Sequence, residues 1–296
     1  VSFLSTAQVG VLTTTQVKGL STTFAAALTT TQVSSLTTAQ LQALTTTDVN
    51  ALSAAQISFL TTVQVANLTS TQIGALSTTN LAAMTTQQVG ALTTTQIKVL
   101  SSTDIAALST TQLGTWTSTQ FSALTADAIG GLTTAEVASM STTQLTGFTT
   151  TQLKGFSTTD IAVLNTTQVG SLLTTQVAAL STTQLNALTA TQISFFSTVQ
   201  IGVLTTTQVK GLSTTFAASL TTTQVSSLTT TQVKALTTTD VNALSAAQIS
   251  FLTTVQVANL TSTQIGALST TNLAAMTTQQ VGALRSEEHT SELQSH

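Results

Sequence analysis

Leu12-Thr13-Thr14-Thr15-Gln16-Val17-Lys18-Gly19 is one complete phrase of a pattern that runs without insertion or deletion from Leu4 to Leu284. Numbered from its large apolar residue, the octad has Leu, Met, Phe or Trp at position 1. Ser or Thr dominates positions 2 to 4, Gln position 5, and Val, Ile or Leu position 6, while positions 7 and 8 are mostly small. A continuous α-helix cannot serve this spacing. Eight residues at about 100° each overshoot two turns by about 80°, so the apolar stripe would walk around the helix within a few octads.

The helix therefore breaks once per octad, and the start signal is legible. A hydroxyl at position 2 followed three residues later by Gln, Asp or Glu has capping-box spacing, as in Thr13 with Gln16, Thr45 with Asp48, Ser101 with Asp104, Thr133 with Glu136 and Ser157 with Asp160. Position 6 and the next position 1 are three apart and share one helical face. The rival is a Thr-rich β-solenoid, since Thr and Val favour strands. Positions 1 and 6 are five apart, however, and would point to opposite faces of a strand. The fold class expected is all-α: a solenoid, or superhelix, of short capped helices, one per octad. One Leu and one Val buried per octad return less than the cost of ordering eight residues, so neighbours must stack.

The absence of Pro and of charged or Gly-rich linkers places no boundary within 1–284, which reads as a single elongated array. Residues 193–284 repeat 1–92 with eight differences, among them Val1 to Ile193, Ala27 to Ser219, Leu41 to Val233 and Gln42 to Lys234. The chain opens in mid-octad at Val1, as a fragment of a longer protein would. Residues 285–296, Arg-Ser-Glu-Glu-His-Thr-Ser-Glu-Leu-Gln-Ser-His, resemble a translated sequencing adapter and are expected to be a non-native, disordered tail. Both histidines, His289 and His296, and the only arginine, Arg285, lie there.

Charged residues make up 5% of the chain and the net charge is −3, which leaves no basic face for nucleic acid. No cysteine offers a disulfide or thiolate site. Hydroxyls and amides interrupt every octad, so no apolar run reaches the roughly 18 residues of a membrane span. Outside the tail the array has five Lys, five Asp and one Glu. The position-7 lysines Lys18, Lys98, Lys154, Lys210 and Lys234 read as solvated, and no hydroxyl has a recognisable base. Asp48, Asp104, Asp160 and Asp240 are too sparse for calcium loops and read as caps. Asp127, at position 4, suits a helix N-terminus. Asn67, Asn165 and Asn259 match a glycosylation pattern that arises by chance in Thr-rich sequence. No catalytic, cofactor-binding or metal site is expected, and no cofactor.

Departures from the phrase are local. Phe24 and Phe216 replace the position-5 Gln, Leu173 replaces a capping hydroxyl and should weaken its corner, Trp116 takes the Leu column, and Phe59, Phe195 and Phe251 at position 8 are expected to fill gaps between helices.

The octads at 12–19 and 180–187 resemble the Leu-Thr-Thr-x-Gln-Val-x-Ala arrays of very long repetitive bacterial exoproteins and adhesin-like proteins, over residues 1–284. The resemblance implies a spacer or stalk of a surface or secreted protein, with no active site to carry over. The expected function is a non-catalytic structural or interaction array, extracellular or on the cell surface. The alternative is a hydroxyl lattice for ice or polysaccharide, carried by the Thr columns at positions 3 and 4. Uncapped ends at Val1 and Leu284 predict end-to-end self-association. Rare residues recur in steps of 3, 7, 10 and 17 octads, all near multiples of 3.4. The expected superhelical turn is therefore roughly 3.4 octads, about 27 residues, with Lys and Asp in two stripes.

Overall fold

A computed structural model describes residues 4–284, so the expectations for the 285–296 tail lie outside the described residues. Among the described residues there is no strand. Thirty-four helices of four to six residues, from α1 (Thr6–Gly10) to α34 (Thr270–Ala274), follow at one per octad, with a further helical stretch at 278–284. The β-solenoid is excluded and the all-α solenoid stands.

The local cause is visible in α5 (Thr38–Ala43). Thr37 holds extended backbone, φ −69° and ψ 157°, and its hydroxyl accepts from the Gln40 backbone N–H at 3.2 Å. Gln40 Oε1 accepts from the Thr37 N–H at 2.9 Å, closing the box. The helix ends when Leu44 returns to φ −61°, ψ 141°. Each corner is thus made of the extended residues at positions 1 and 2, and no described residue has a positive φ. Such a corner needs neither Gly nor Pro, which is how a chain without proline breaks helix thirty-four times.

Contacts divide the described residues into two compact units, one up to Phe156 and one from Ser157. Within each, helices pack mainly on the third one before them. In the first unit α5 packs on α2 (Thr14–Lys18), and α14 (Thr110–Leu113) on α11 (Thr86–Gly90). In the second, α27 (Thr214–Ser219) packs on α24 (Ala190–Ser194), and α30 (Thr238–Ala243) on α27. Bonds between adjacent turns span 25 to 31 residues; Trp116 Nε1 donates to the Val89 carbonyl, and Ser77 N–H to Asn50 Oδ1, each across 27 residues. Twenty-seven residues are about 3.4 octads. Positions 6 and 1 supply the core, as in Val33, Leu36, Leu41 and Leu44.

Because 3.4 is not an integer, one octad position meets different surroundings around the turn. Gly131 and Gly147, at position 8, lie against the turn below: a Cβ on Gly131 would sit 2.0 Å from the Ser102 carbonyl oxygen, and one on Gly147 2.6 Å from Ser118 Cβ. In other octads position 8 points outward. Phe59, Phe195 and Phe251 are 54 to 57% exposed and fill no gap, contrary to expectation. At Gly170 the close neighbour is the Phe195 carbonyl oxygen, 3.4 Å from where a Cβ would be. The backbone of position 8 makes that contact and the ring is left at the rim. The other departures behave as the octad logic expects. Ser21 and Ser213 still accept from the backbone N–H groups of Phe24 and Phe216, and Leu173 offers no side-chain acceptor, so Gln176 Oε1, 2.9 Å from the Leu173 N–H, closes only half a box.

Candidate functional site

The position-5 glutamine is where this fold concentrates its polar chemistry. The Oε1 of Gln40 caps its own helix, and its Nε2 donates to the carbonyls of Val9, Gly10 and Leu12, at 3.0, 3.1 and 2.9 Å. Gln56, Gln64, Gln192 and Gln256 repeat this set at 31, 30 and 28 residues upstream. One planar amide therefore satisfies an N-terminal N–H of its own helix and the C-terminal carbonyls of a helix one turn below, both orphan groups that a helix this short cannot pair internally. The sequence reading found only the capping half. A signal was available: Glu and Asp cap as well as Gln, yet the only acids in this column are Glu136, Asp48, Asp104, Asp160 and Asp240, so the column favours a donor.

Octads that lack this Gln show how the staple is replaced. Asn80 is too short to reach back to Ser77. It spends its Nδ2 on the carbonyls of Asn50 and Leu52, at 3.3 and 3.0 Å, and the Ser77 N–H turns to Asn50 Oδ1 at 2.8 Å. Ser213, whose octad has Phe216 at position 5, donates to Asn186 Oδ1 at 2.8 Å, and Ser269, with Asn272, to Asn242 Oδ1 at 3.0 Å. Each rescuing Asn stands at position 7, 27 residues upstream of the N-cap it serves.

The acidic residues are more buried than surface caps. Asp48, Asp160 and Asp240 are buried, and Asp104 is half-buried. Each carboxylate accepts from both the N–H and the hydroxyl of its N-cap, Thr45, Ser157, Thr237 or Ser101. Glu136, also buried, has Oε2 2.8 Å from the Thr133 N–H. Burial raises its pKa above the usual 4.5, against the lowering pull of the Thr133 N–H and hydroxyl. Beside it, Thr110, Leu113, Gly114, Phe121, Met140 and Gln144 line a cavity of about 10 Å³, room for one water.

The remaining sequence candidates are separate. Lys18, Lys98, Lys154, Lys210 and Lys234 are all exposed. Asn165 is an N-cap, accepting from Gln168 N–H at 2.9 Å, while Asn67 and Asn259 bond back to the carbonyls of Val63 and Val255. Trp116, Phe121, Phe148 and Phe156 form a buried row with ring centroids 5.1 to 5.5 Å apart, which is core packing. Among the described residues no three His, Cys, Asp or Glu side chains converge, no buried side-chain polar atom lacks a partner, and no helix is long and apolar enough to cross a membrane. The arrangement binds the chain to itself.

A family model described as the ALTTAQ repeat matches residues 36–70, 46–78, 70–102, 97–134, 150–182, 177–214 and 234–270, more than half of the sequence, and the chain belongs to that family. No curated protein matches. Among solved structures, the leucine-rich repeat-containing protein LegL7 from Legionella pneumophila aligns with 88% of this chain and 86% of its own at 9% identity. Its TM-score of 0.20 is too low to carry an argument.

Proposed function

We propose that this ALTTAQ repeat chain is a non-catalytic spacer or stalk segment of a large bacterial surface or secreted protein. The observation that supports the reading is the double use of the position-5 amide, which spends its polar groups on joining each turn to the one below. A unit of that kind extends a solenoid by any number of octads without a new design at each step. The near absence of charge and the array resemblance point the same way. The hydroxyl-lattice alternative draws less support, because Thr30, Thr46, Thr94 and Thr110 at position 3 are half-buried and position-2 hydroxyls are engaged as caps.

Solution scattering on the purified chain tests the spacer reading. An extended particle whose length is set by octad number is expected, and a compact one sinks it. The parent reading frame supplies a second check: a secretion signal or surface-anchoring segment flanking the array is expected, and a cytoplasmic catalytic domain fused directly to it would overturn the placement.

A further inference from the structure

Lys210 lines an open groove of about 510 Å³ together with Thr182, Thr206, Thr207, Gly211 and Ala235. Three helices of the second unit bring these residues together: α23 (Thr182–Asn186), α26 (Thr206–Lys210) and α29 (Thr230–Ala235). The groove is held from within. Gly211, just past α26, lies so close to the turn before it that a Cβ would sit 2.8 Å from Thr182 Cγ2. Asn186 pins the same stretch, since its Nδ2 donates to the Gly211 carbonyl at 2.9 Å and its Oδ1 accepts from the Ser213 N–H at 2.8 Å. Its walls are therefore set before anything enters, which spares a ligand the cost of ordering them.

Charge is concentrated at this groove. Among the described residues of the second unit the charged side chains are Asp160, Lys210, Lys234 and Asp240. Both aspartates are spent as caps, 8% and 1% exposed, each accepting from the N–H and the hydroxyl of its N-cap. Both lysines are exposed. They hold the same octad position on α26 and α29, which pack together, and Lys234 is the chain neighbour of Ala235 in the groove lining. A unit with two acids and two bases thus buries the acids and presents the bases side by side. The internal duplication shows the contrast: the residue matching Lys234 is Gln42, whose Nε2 is spent on the Asn67 carbonyl at 2.7 Å.

We propose that this groove binds a segment of an acidic polysaccharide, with sugar carboxylates facing Lys210 and Lys234 and sugar hydroxyls exchanging hydrogen bonds with Thr182, Thr206 and Thr207. Three hydroxyls beside two ammonium groups match a ligand that is itself hydroxyl-rich and anionic. A nucleic acid fits less well, because its phosphates call for a denser basic face and the lining has no ring on which a base could stack. The lining has no large apolar side chain for a lipid or an amphipathic helix.

Isothermal titration of the intact chain with a galacturonic acid oligomer, beside its neutral methyl ester, tests this. The native chain should bind the acid oligomer more weakly as salt is raised, and the ester at least about tenfold more weakly than the acid, the worth of two exposed ion pairs. Lys210→Gln/Lys234→Gln should bring binding of the acid down to the level of the ester. Lys18→Gln/Lys98→Gln, which removes two exposed lysines of the first unit, should leave it unchanged. Circular dichroism of each variant separates loss of the site from loss of fold. A native chain that does not bind the acid, an ester bound as tightly, a Lys210→Gln/Lys234→Gln variant that binds like the native chain, or a first-unit variant that loses as much would each overturn the proposal. Tighter binding of a single-stranded oligonucleotide than of the acid oligomer would overturn the choice of partner. None of these outcomes bears on the spacer reading, which rests on particle length.

Discussion

Residues 10–26 and 202–218 are one sequence in two settings, and the difference between them separates what an octad does alone from what its neighbours do for it. Both copies form the same helices, α2 over Thr14–Lys18 and α26 over Thr206–Lys210, with matching caps and nearly equal dihedral angles. Among the described residues, only the second copy has a turn beneath it. There Phe216 is 1% exposed and the Gln208 amide is fully bonded, while Phe24 remains half-buried and Gln16 Nε2 has no partner among the described residues. Secondary structure is therefore set within the octad, and burial is set by the octad about 27 residues away.

The sharpest way to break this comparison is to remove the same side chain in both copies. Gln208→Ala should cost about 2 to 4 kcal/mol, because two buried carbonyls and an N-cap N–H lose their partner together. Gln16→Ala should cost about 0.5 to 1, the worth of an exposed cap. Amide hydrogen exchange around Val177 to Leu180 reads the first, and equal costs in the two copies would show that the inter-turn bonds add nothing.

Glu136 sharpens the same point, since it keeps the capping half of the staple and lacks the donating half. Its folded-state pKa is raised, so the folded chain holds this proton more tightly than the unfolded one. The stabilisation is complete below the unfolded value near 4.5 and is lost as pH rises through the folded value. Glu136→Gln should therefore leave stability near pH 4 almost unchanged and raise it at pH 7 to 8, measured by urea unfolding at each pH. A gain independent of pH would refute the role of burial in holding this proton.

Two smaller effects concern the substitutes. Asn186→Ala should cost about 1 kcal/mol by leaving the Ser213 N–H without its acceptor. A second change, Phe216→Gln, would restore an acceptor inside the octad and make that loss smaller. Leu173→Thr should stabilise by about 0.5 to 1 kcal/mol by supplying the missing cap, seen as slower exchange in α22 (Thr174–Ala179).

The helices, their caps and their core columns were legible because N-cap and N3 are three residues apart and positions 6 and 1 also three: local geometry fixes those pairs whatever the rest of the chain does. The turn of about 27 residues was legible indirectly, from the recurrence of rare residues. The staple was not, and neither were the Asn50, Asn186 and Asn242 rescues, since a bond across 28 or 27 residues has no local signature until the number of octads per turn is known. Phe59, Phe195 and Phe251 were misjudged for a related reason: position 8 faces a neighbour or the rim according to where its octad falls in a turn that is not a whole number of octads.

What the sequence determined by itself is the unit: a hydroxyl, an amide and two apolar residues at spacings that start a helix, end it and give it one apolar face. What only the tertiary structure decided is the partner of each polar group left over. The Gln amide has two ends, and its oxygen is satisfied within four residues while its nitrogen must wait for a carbonyl one superhelical turn away. Where that turn comes around is set by how the Leu and Val columns pack, and no single octad contains that information.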